Sequence, residues 1–235
     1  MIKWKLEDTE GFKEADLSSF KHRRNVIYLT FGSSIISGGC RDTIRYLFEH
    51  KMISYACTTA GGIEEDLIKC FGNYQVRDFN QAKVDPDFEQ QGNIYIPKSA
   101  QQYFKEFFKT QIRKMHDKQN IKEGIVWSAS NIIKELGLAI NNPQSVVYWA
   151  AKNDVVIFCP ALTDGFIGEC LYEYNEEHPG FLIDGAADVF EINNSTNDVP
   201  RSAAIILGGG IAKHHVLNAN LFRDGCESAV IFLRL

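Results

Sequence analysis

The sequence follows a short apolar run with a glycine-containing turn four times, and three of these turns lead into a segment with helical periodicity. The runs are rich in β-branched and aromatic residues, as buried strands are, and they span residues 25–31, 53–59, 154–159 and 202–207. Strands that alternate with helices favour a parallel sheet with helices packed on its faces. The sequence therefore predicts an α/β fold with a parallel sheet flanked by helices.

The remaining elements follow from periodicity and turn signals. A short strand is predicted at 93–96 and a fifth apolar strand at 229–233, whereas residues 72–92 look irregular and polar. Further helices are predicted at 63–71, 100–118, 128–140, 144–152, 183–192 and 210–221. One domain then spans residues 25–235, after a polar lead-in over residues 1–24.

Composition argues against several classes of protein. No run approaches the ~18 consecutive apolar residues that cross a bilayer, and the net charge of −5 without a basic stripe argues against nucleic-acid binding. The amino terminus carries no secretory signal, and the six cysteines form no CxxC pair, so we predict a cytoplasmic protein with free thiols. Only His214 and His215 stand together among possible metal ligands, so no metal site is expected.

The glycine-rich turns are the candidate binding loops. They lie at residues 32–39, 58–62, 160–165 and 208–210, each just beyond a predicted strand. Any one of them alone is more often a tight turn, and none is the dinucleotide fingerprint G-x-G-x-x-G. Because parallel strands end at the same edge of a sheet, the four together favour one cleft that binds a nucleotide or another anionic ligand.

Two pairs of side chains sharpen this interpretation. Glu64 and Glu65 follow glycines in what is predicted as the first turn of a helix, where they could simply favour the helix dipole or could bind a ribose hydroxyl. His214 and His215 fall in the first turns of the helix after the last glycine loop. They could face solvent, or one could act as a neutral base.

At this level of detail the chain resembles one family, deoxyhypusine synthase. The blocks that carry the resemblance occur in order and are highly specific, TTAGG before EEDLIKC and GGG before KHH above all. They are FGSSIISGGCRDTIRYL (31–47), TTAGGIEEDLIKC (58–70), KELGLAINNPQSVVYWAAKND (134–154), PALTDGFIGE (160–169) and IILGGGIAKHHVLNANLFRDG (205–225). Plant homospermidine synthase is similar to this family by descent.

The resemblance implies a Rossmann-like parallel sheet and a homotetramer of tight dimers, with NAD and spermidine at the dimer interface. It implies NAD-dependent transfer of the aminobutyl group of spermidine to a lysine of the hypusine-carrying translation initiation factor. In this family NAD takes up the hydride, and an enzyme lysine carries the butylimine. Spermidine and the translation factor are therefore the expected partners.

The resemblance also assigns roles to residues. Spermidine contacts are implied at Glu64, Glu169, His214, Asn218 and Leu221, and His214 is the residue implied to act on the spermidine amine. NAD contacts are implied at Ser33, Ser34, Ile35, Ile36, Ser37, Thr59, Ala60, Gly61, Glu65, Asp164 and Gly209.

Two departures from the family pattern leave the activity open. Glu169 stands where the family usually has aspartate, which keeps the charge and changes the geometry. The sequence also has no counterpart of the family's later NAD loop or of its Trp-Gly-Lys segment, and Lys213 is expected to be a solvent-facing helix residue. The hypotheses are an incomplete deoxyhypusine synthase, a catalytically defective partner or regulatory subunit, and a homospermidine synthase-like enzyme.

Overall fold

The computed structural model describes residues 25–78, 85–197 and 199–232. The lead-in predicted at residues 1–24 lies outside this part of the chain. In chain order the elements are β1 (Asn25–Phe31), α1 (Ser33–Ser37), α2 (Arg41–Glu49), β2 (Tyr55–Thr58), α3 (Ala60–Ile68), β3 (Gln75–Val76), β4 (Phe88–Gln91), β5 (Ile94–Pro97), α4 (Lys98–Lys118), α5 (Ala129–Ile140), α6 (Val146–Lys152), β6 (Val156–Phe158), α7 (Phe166–Glu177), α8 (Gly185–Asn194), β7 (Arg201–Leu207), α9 (Gly210–Asn220) and β8 (Ser228–Phe232). Short 3-10 turns lie at Ile121–Glu123 and Leu221–Arg223.

The main sheet has five parallel strands in the order β6-β2-β1-β7-β8, which confirms the predicted fold class. After β1 the chain adds β2 and then β6 on one side of β1, and it later adds β7 and β8 on the other side. β1 is therefore the centre of the sheet, with Phe31 level with Thr58 on one side and Leu207 on the other. The boundary between β1 and β7 is the topological switch point, where ligands bind in open α/β sheets.

Helices cover both faces of this sheet, because successive side chains of a strand point to opposite sides. Ile27 and Leu29 of β1 belong to a large core that also includes apolar residues of α2 to α7. Val26 and Tyr28 belong to a smaller core on the other face, with Val216 of α9 and a residue of α8. Burial on both faces explains why the strands are almost uniformly apolar rather than alternating.

The stretch expected to be irregular contains regular structure. β3, β4 and β5 form a small antiparallel sheet in the order β3-β5-β4, beside the amino-terminal end of α4. β5 matches the short strand predicted at residues 93–96. β3 and β4 were missed, because β3 has only two residues and β4 is polar and largely exposed. Arg77 stacks over the rings of Phe88 and Tyr95, at 4.6 and 4.3 Å from their centroids. This cation–π packing takes the place of the contacts between apolar side chains from which a strand is usually predicted.

Two of the longer helices, α3 and α7, differ from the sequence prediction. α3 begins at Ala60, three residues earlier than predicted, so Gly61 and Gly62 lie inside a helix and not in a loop. Gly62 is tolerated there because it allows close packing: an added Cβ would lie 2.1 Å from the Thr58 hydroxyl. α7 was not predicted at all, since its glycine and its mixed aromatic and acidic residues give a weak periodic signal.

Asp66 of α3 is fully buried, and its carboxylate accepts four hydrogen bonds. Its Oδ1 accepts from Arg41 Nε at 2.7 Å and from the backbone N–H of Val146 at 3.0 Å. Its Oδ2 accepts from the Ser145 hydroxyl at 2.5 Å and from the Val147 N–H at 3.0 Å. One carboxylate thus pairs with a cation from α2 and binds the amino-terminal N–H groups of α6, which joins three helices.

Replacing Asp66 by alanine should destabilise the protein by about 3–5 kcal/mol, because the partly buried Arg41 would lose its ion pair and two amino-terminal N–H groups of α6 would lose their acceptor. Urea denaturation followed by circular dichroism measures this change. Asp42→Ala is the matched control, since that carboxylate is 85% exposed and its contact with Arg45 is long, at 3.5 Å. It should cost no more than about 0.5 kcal/mol. Equal losses for the two variants would contradict the role given to Asp66.

Candidate functional site

The four glycine-rich turns lie at the carboxyl-terminal edge of the main sheet, as predicted. They follow β1, β2, β6 and β7, which run parallel. The first two of them touch, since a Cβ added to Gly61 would lie 2.8 Å from the Ser33 Cβ. The third touches α3, since a Cβ added to Gly165 would lie 2.6 Å from Glu64 Oε1. The loop after β7 lies next to that after β1 in the sheet order.

The first turn, predicted as a loop, contains the five-residue helix α1. Ile35 and Ile36 point into the main core and are 4% and 0% exposed. They can therefore meet a ligand only through their backbone. Ser33 and Ser37 are half-buried and Ser34 is exposed, so the serines are the members of this segment whose side chains remain available.

Glu64 is buried and already bonded. It lies in the second turn of α3 rather than the first, at 7% exposure, and its Oε1 accepts the backbone N–H of Ile167 at 2.6 Å. This bond joins α3 to the first turn of α7. Burial raises the pKa of Glu64 to about 7; the nearby carboxylates of Glu65 and Asp164 add to this, and the Ile167 N–H opposes it.

Glu65 is buried at 7% exposure and faces a different side of α3. Burial raises its pKa, against the opposing effects of the Tyr74 hydroxyl and the Lys69 ammonium. Within the described residues its Oε2 has no hydrogen-bond partner of normal geometry. Such an atom is costly to bury, so it is an available acceptor for a hydroxyl group.

His214, Asn218 and Leu221 lie on one stripe of α9 and its following turn, at spacings of four and three residues. All three are exposed, and the Asn218 amide lies 3.0 Å from His214 Nε2. His215 instead turns inward beside the Phe158 ring, and burial lowers its pKa. Only His214 of the pair can meet a ligand from solvent. Lys213, expected to face solvent, is half-buried.

The remaining candidates lie at the rims of the two outer loops. Asp164 is exposed just before Gly165, close enough for its charge to act on Glu64. Glu169 is exposed in the first turn of α7, with its Oε1 4.0 Å from Lys105 Nζ. Gly209 is the amino-terminal cap of α9, between two glycines with positive φ.

The sequence analysis missed two residues that shape this edge. Gly165 has a φ of +155° and lies against the Glu64 carboxylate, and Ile167 supplies the N–H which that carboxylate accepts. The Thr-Asp-Gly end of the loop was a usable signal for Gly165, because such a turn often needs a glycine conformation. No sequence signal identifies Ile167, since its backbone makes the bond.

Within the described ranges, no helix combines the length and the apolar character needed to span a membrane. Nor does this part of the chain contain a cluster of three or more His, Cys, Asp or Glu residues arranged to hold a metal ion.

Gly165→Ala should destabilise the protein by about 2 kcal/mol, because the new Cβ would meet Glu64 and the backbone conformation disfavours any side chain. Urea denaturation measures the loss. Gly185→Ala is the matched control: this residue begins α8 and has no atom within 4 Å of an added Cβ. It should be neutral or slightly stabilising. A neutral Gly165→Ala would contradict the tight contact with Glu64.

Glu64→Gln should gain stability over the wild type as pH rises. The wild-type group has a folded pKa of about 7 and an ordinary value of 4.5, so the folded state holds the proton more tightly. The free-energy cost of burying the ionised Glu64 carboxylate is absent below pH 4.5, grows between pH 4.5 and 7, and is complete above pH 7. The stability difference should therefore grow by on the order of 3 kcal/mol across that window. Denaturation at several pH values measures it.

Glu173→Gln provides the control of opposite sign, because hydrogen bonds from Lys105 and Lys109 lower the pKa of Glu173. This variant should lose stability relative to the wild type as pH rises through the acidic range. A Glu64→Gln difference that stays flat from pH 4.5 to 8 would contradict the burial effect.

Comparisons with known proteins identify the family of this chain. A family model described as deoxyhypusine synthase matches residues 9–233. A deoxyhypusine synthase of Neurospora crassa is 42% identical over 216 residues, covering 88% of this chain and 61% of that protein. A Senecio vernalis protein named homospermidine synthase 2 is 37% identical over 243 residues, covering 98% of this chain and 65% of its own.

A solved structure gives the same result for the fold. The crystal structure of an Entamoeba histolytica protein assigned as a deoxyhypusine synthase has a TM-score of 0.73 and 39% identity, and the match covers 96% of this chain and 71% of that one. The chain spans about three-fifths of the length of the curated relatives it matches. Because the family model covers nearly all of the sequence, the chain belongs to the deoxyhypusine synthase family.

Proposed function

We propose that this chain provides the cofactor-binding edge of a deoxyhypusine synthase, an NAD-dependent enzyme that transfers the aminobutyl group of spermidine to a lysine of the hypusine-carrying translation initiation factor. The observation that carries the proposal is the family match over residues 9–233, together with the location of the implied residues at or beside one edge of the sheet. That edge includes the switch point beside β1, where ligands of such sheets bind.

The residues present fit NAD. A Cβ added to Gly32, Gly208 or Gly209 would have no atom within 4 Å, so the backbone there is open to close approach by phosphates. Glu65 offers a buried oxygen that has no hydrogen bond of normal geometry among the described residues and that a ribose hydroxyl could satisfy. NAD would supply the hydride acceptor. The residues proposed to hold it are Ser33, Ser34, Ser37, Thr59, Ala60, Gly61, Glu65, Asp164 and Gly209, with Ile35 and Ile36 contributing backbone only.

The proposed substrate contacts suit a polyamine. Glu64 and Glu169 provide carboxylates for ammonium groups, and Leu221, 69% exposed, provides an apolar surface for methylenes. His214 would take a proton from the secondary amine. The Asn218 amide lies 3.0 Å from His214 Nε2, so these two side chains are paired in the structure.

The assembly and the compartment belong to the same proposal. A homo- or hetero-oligomer, arranged as a dimer of dimers, would place NAD and spermidine between subunits, and the cytoplasm remains the predicted location. The scattered cysteines support that location, because Cys57, Cys159 and Cys170 are buried free thiols.

The decisive assay is complementation. A longer family member in which the counterpart of His214 is replaced by alanine is incubated with NAD, labelled spermidine and the translation factor, with and without this chain. We expect transfer when the two are mixed, because this chain would supply the histidine and the longer member the nucleophilic lysine. The His214→Ala variant of this chain should abolish the effect. Lys134→Ala, an exposed residue on α5, is the control that should not.

The other outcomes separate the hypotheses. Label transferred to a small diamine would favour the homospermidine synthase-like activity. Activation of an intact family member that persists with His214→Ala would favour a defective partner subunit. Label on the factor from this chain alone would show that another lysine, such as Lys213, can act as the nucleophile.

A further inference from the structure

The helix α1 cannot hold its own shape. It has five residues, Ser33–Ser37, far fewer than the ~12 needed for a helix to be stable alone, and it has no side-chain cap at its amino terminus. Two side chains, Ile35 and Ile36, anchor it in the core. Its carboxyl-terminal carbonyls have no partners within so short a helix, and glycines follow at positions 38 and 39.

Lys69 supplies the missing partners. It is the carboxyl-terminal cap residue of α3. Its Nζ donates to the carbonyl of Ile36 at 2.6 Å and to that of Ser37 at 3.0 Å. The ammonium also lies 4.9 Å from the centre of the Tyr74 ring. An ammonium at this point donates hydrogen bonds to the last carbonyls of α1 and favours the negative end of the helix dipole.

The position of Lys69 is unusual for a lysine at the end of a helix. Such side chains ordinarily extend into water. This one is half-buried beside Arg41, and both hydrogen bonds that its amine makes among the described residues go to backbone carbonyls. Burial and the Arg41 charge lower its pKa, although Glu65 and Asp66 oppose this. Since burial of an ammonium costs free energy, its contacts with α1 must offset that cost.

Lys69 therefore connects the two elements that carry most of the implied cofactor contacts. It belongs to the same helix as Glu64 and Glu65, and it bonds to the end of the segment that carries Ser33, Ser34 and Ser37. The opposite end of that segment is already packed closely, with Ser33 against Gly61. α1 is thus held to α3 at both ends.

We propose that Lys69 is a positioning residue, which holds α1 against α3 and thereby sets the backbone that receives the cofactor. The part concerning the cofactor rests on the proposed function, whereas the part concerning α1 does not.

Amide hydrogen exchange tests the structural half. The reporters are the N–H groups of Gly38 and Cys40, which donate to the carbonyls of Ser34 and Ile35 at 2.9 and 3.1 Å. Lys69→Met keeps the length of the side chain and removes the ammonium, and it should speed exchange at both amides about tenfold or more. Lys69→Arg should restore much of the protection. Lys134→Met is the matched control, because its amine pairs with exposed Asp154.

NAD titration, followed by protein fluorescence, tests the other half in the same proteins. Lys69→Met should weaken NAD binding about tenfold, and Lys69→Arg should recover it at least in part. Unchanged exchange at Gly38 and Cys40 would overturn the proposal. Faster exchange with unchanged NAD affinity would also overturn it, since the position of α1 would then have no effect on cofactor binding.

Two further outcomes remain interpretable. If wild-type protein binds no NAD, the proposed function fails at this site, while the exchange data still decide whether Lys69 holds α1. If Lys69→Met unfolds, the comparison rests on Lys69→Arg and Lys69→Gln. Protection and NAD affinity that fall together from wild type to Arg to Gln would support the proposal, and independent changes would overturn it.

Discussion

Three consecutive buried carboxylates on α3 are the constraint around which the rest of the structure is arranged. Glu64, Glu65 and Asp66 are 7%, 7% and 0% exposed. An ionised carboxylate removed from water costs several kcal/mol unless cations or hydrogen-bond donors replace its hydration. Neighbouring residues on a helix point in directions about 100° apart, so each of the three needs its own donors from a different element. The folding of α2, α6 and α7 around α3 provides these donors unequally.

The number of donors separates the carboxylate with a structural role from the two that are implied to bind ligands. Asp66 has Arg41, a hydroxyl and two helix N–H groups, a set that stabilises its charge and leaves no room for a ligand. Glu64 accepts the backbone N–H of Ile167 and has a pKa of about 7, so it exchanges its proton near neutrality. Glu65 has an oxygen with no hydrogen bond of normal geometry among the described residues. Of these three carboxylates, the two implied in ligand binding have fewer donors than Asp66, as expected of groups that a ligand completes.

The strands and their turns could be predicted from the sequence because both signals are local. β-Branched runs specify strands and glycines specify turns, whatever the rest of the chain does. The start of α3 was not predictable in this way, since Gly61 and Gly62 disfavour a helix locally and only close packing against Ser33 and Thr58 makes them suitable. The role of Asp66 depends on Arg41 and Ser145, which are 25 and 79 residues away, so no local pattern contains it.

The candidate site could be predicted to a different extent. Its location follows from topology, and the resemblance supplied residue identities, but neither shows which atom a residue presents. The buried side chains of Ile35 and Ile36 show this, as does the outward His214 beside the inward His215. Adjacent helical residues differ in direction by about 100°, so the register of α9 against the sheet decides which histidine is exposed. That register is set by the packing of Ala212, Val216 and Ala219 in the smaller core.

The two acidic residues proposed to bind ammonium groups would acquire them by different routes. Glu64 is buried and near its pKa at neutral pH, so an arriving ammonium replaces a proton, which is then released. Glu169 is 59% exposed and already faces Lys105, whose amine also bonds to Glu173, while Glu173 accepts from Lys109 at 2.6 Å. These two ammonium and two carboxylate groups are together neutral. A ligand ammonium at Glu169 must therefore compete with Lys105, in an exposed setting where each ion pair contributes little. Stronger binding of a cation is expected at Glu64, and Glu169 is better suited to orient the far end of an extended polyamine than to hold it.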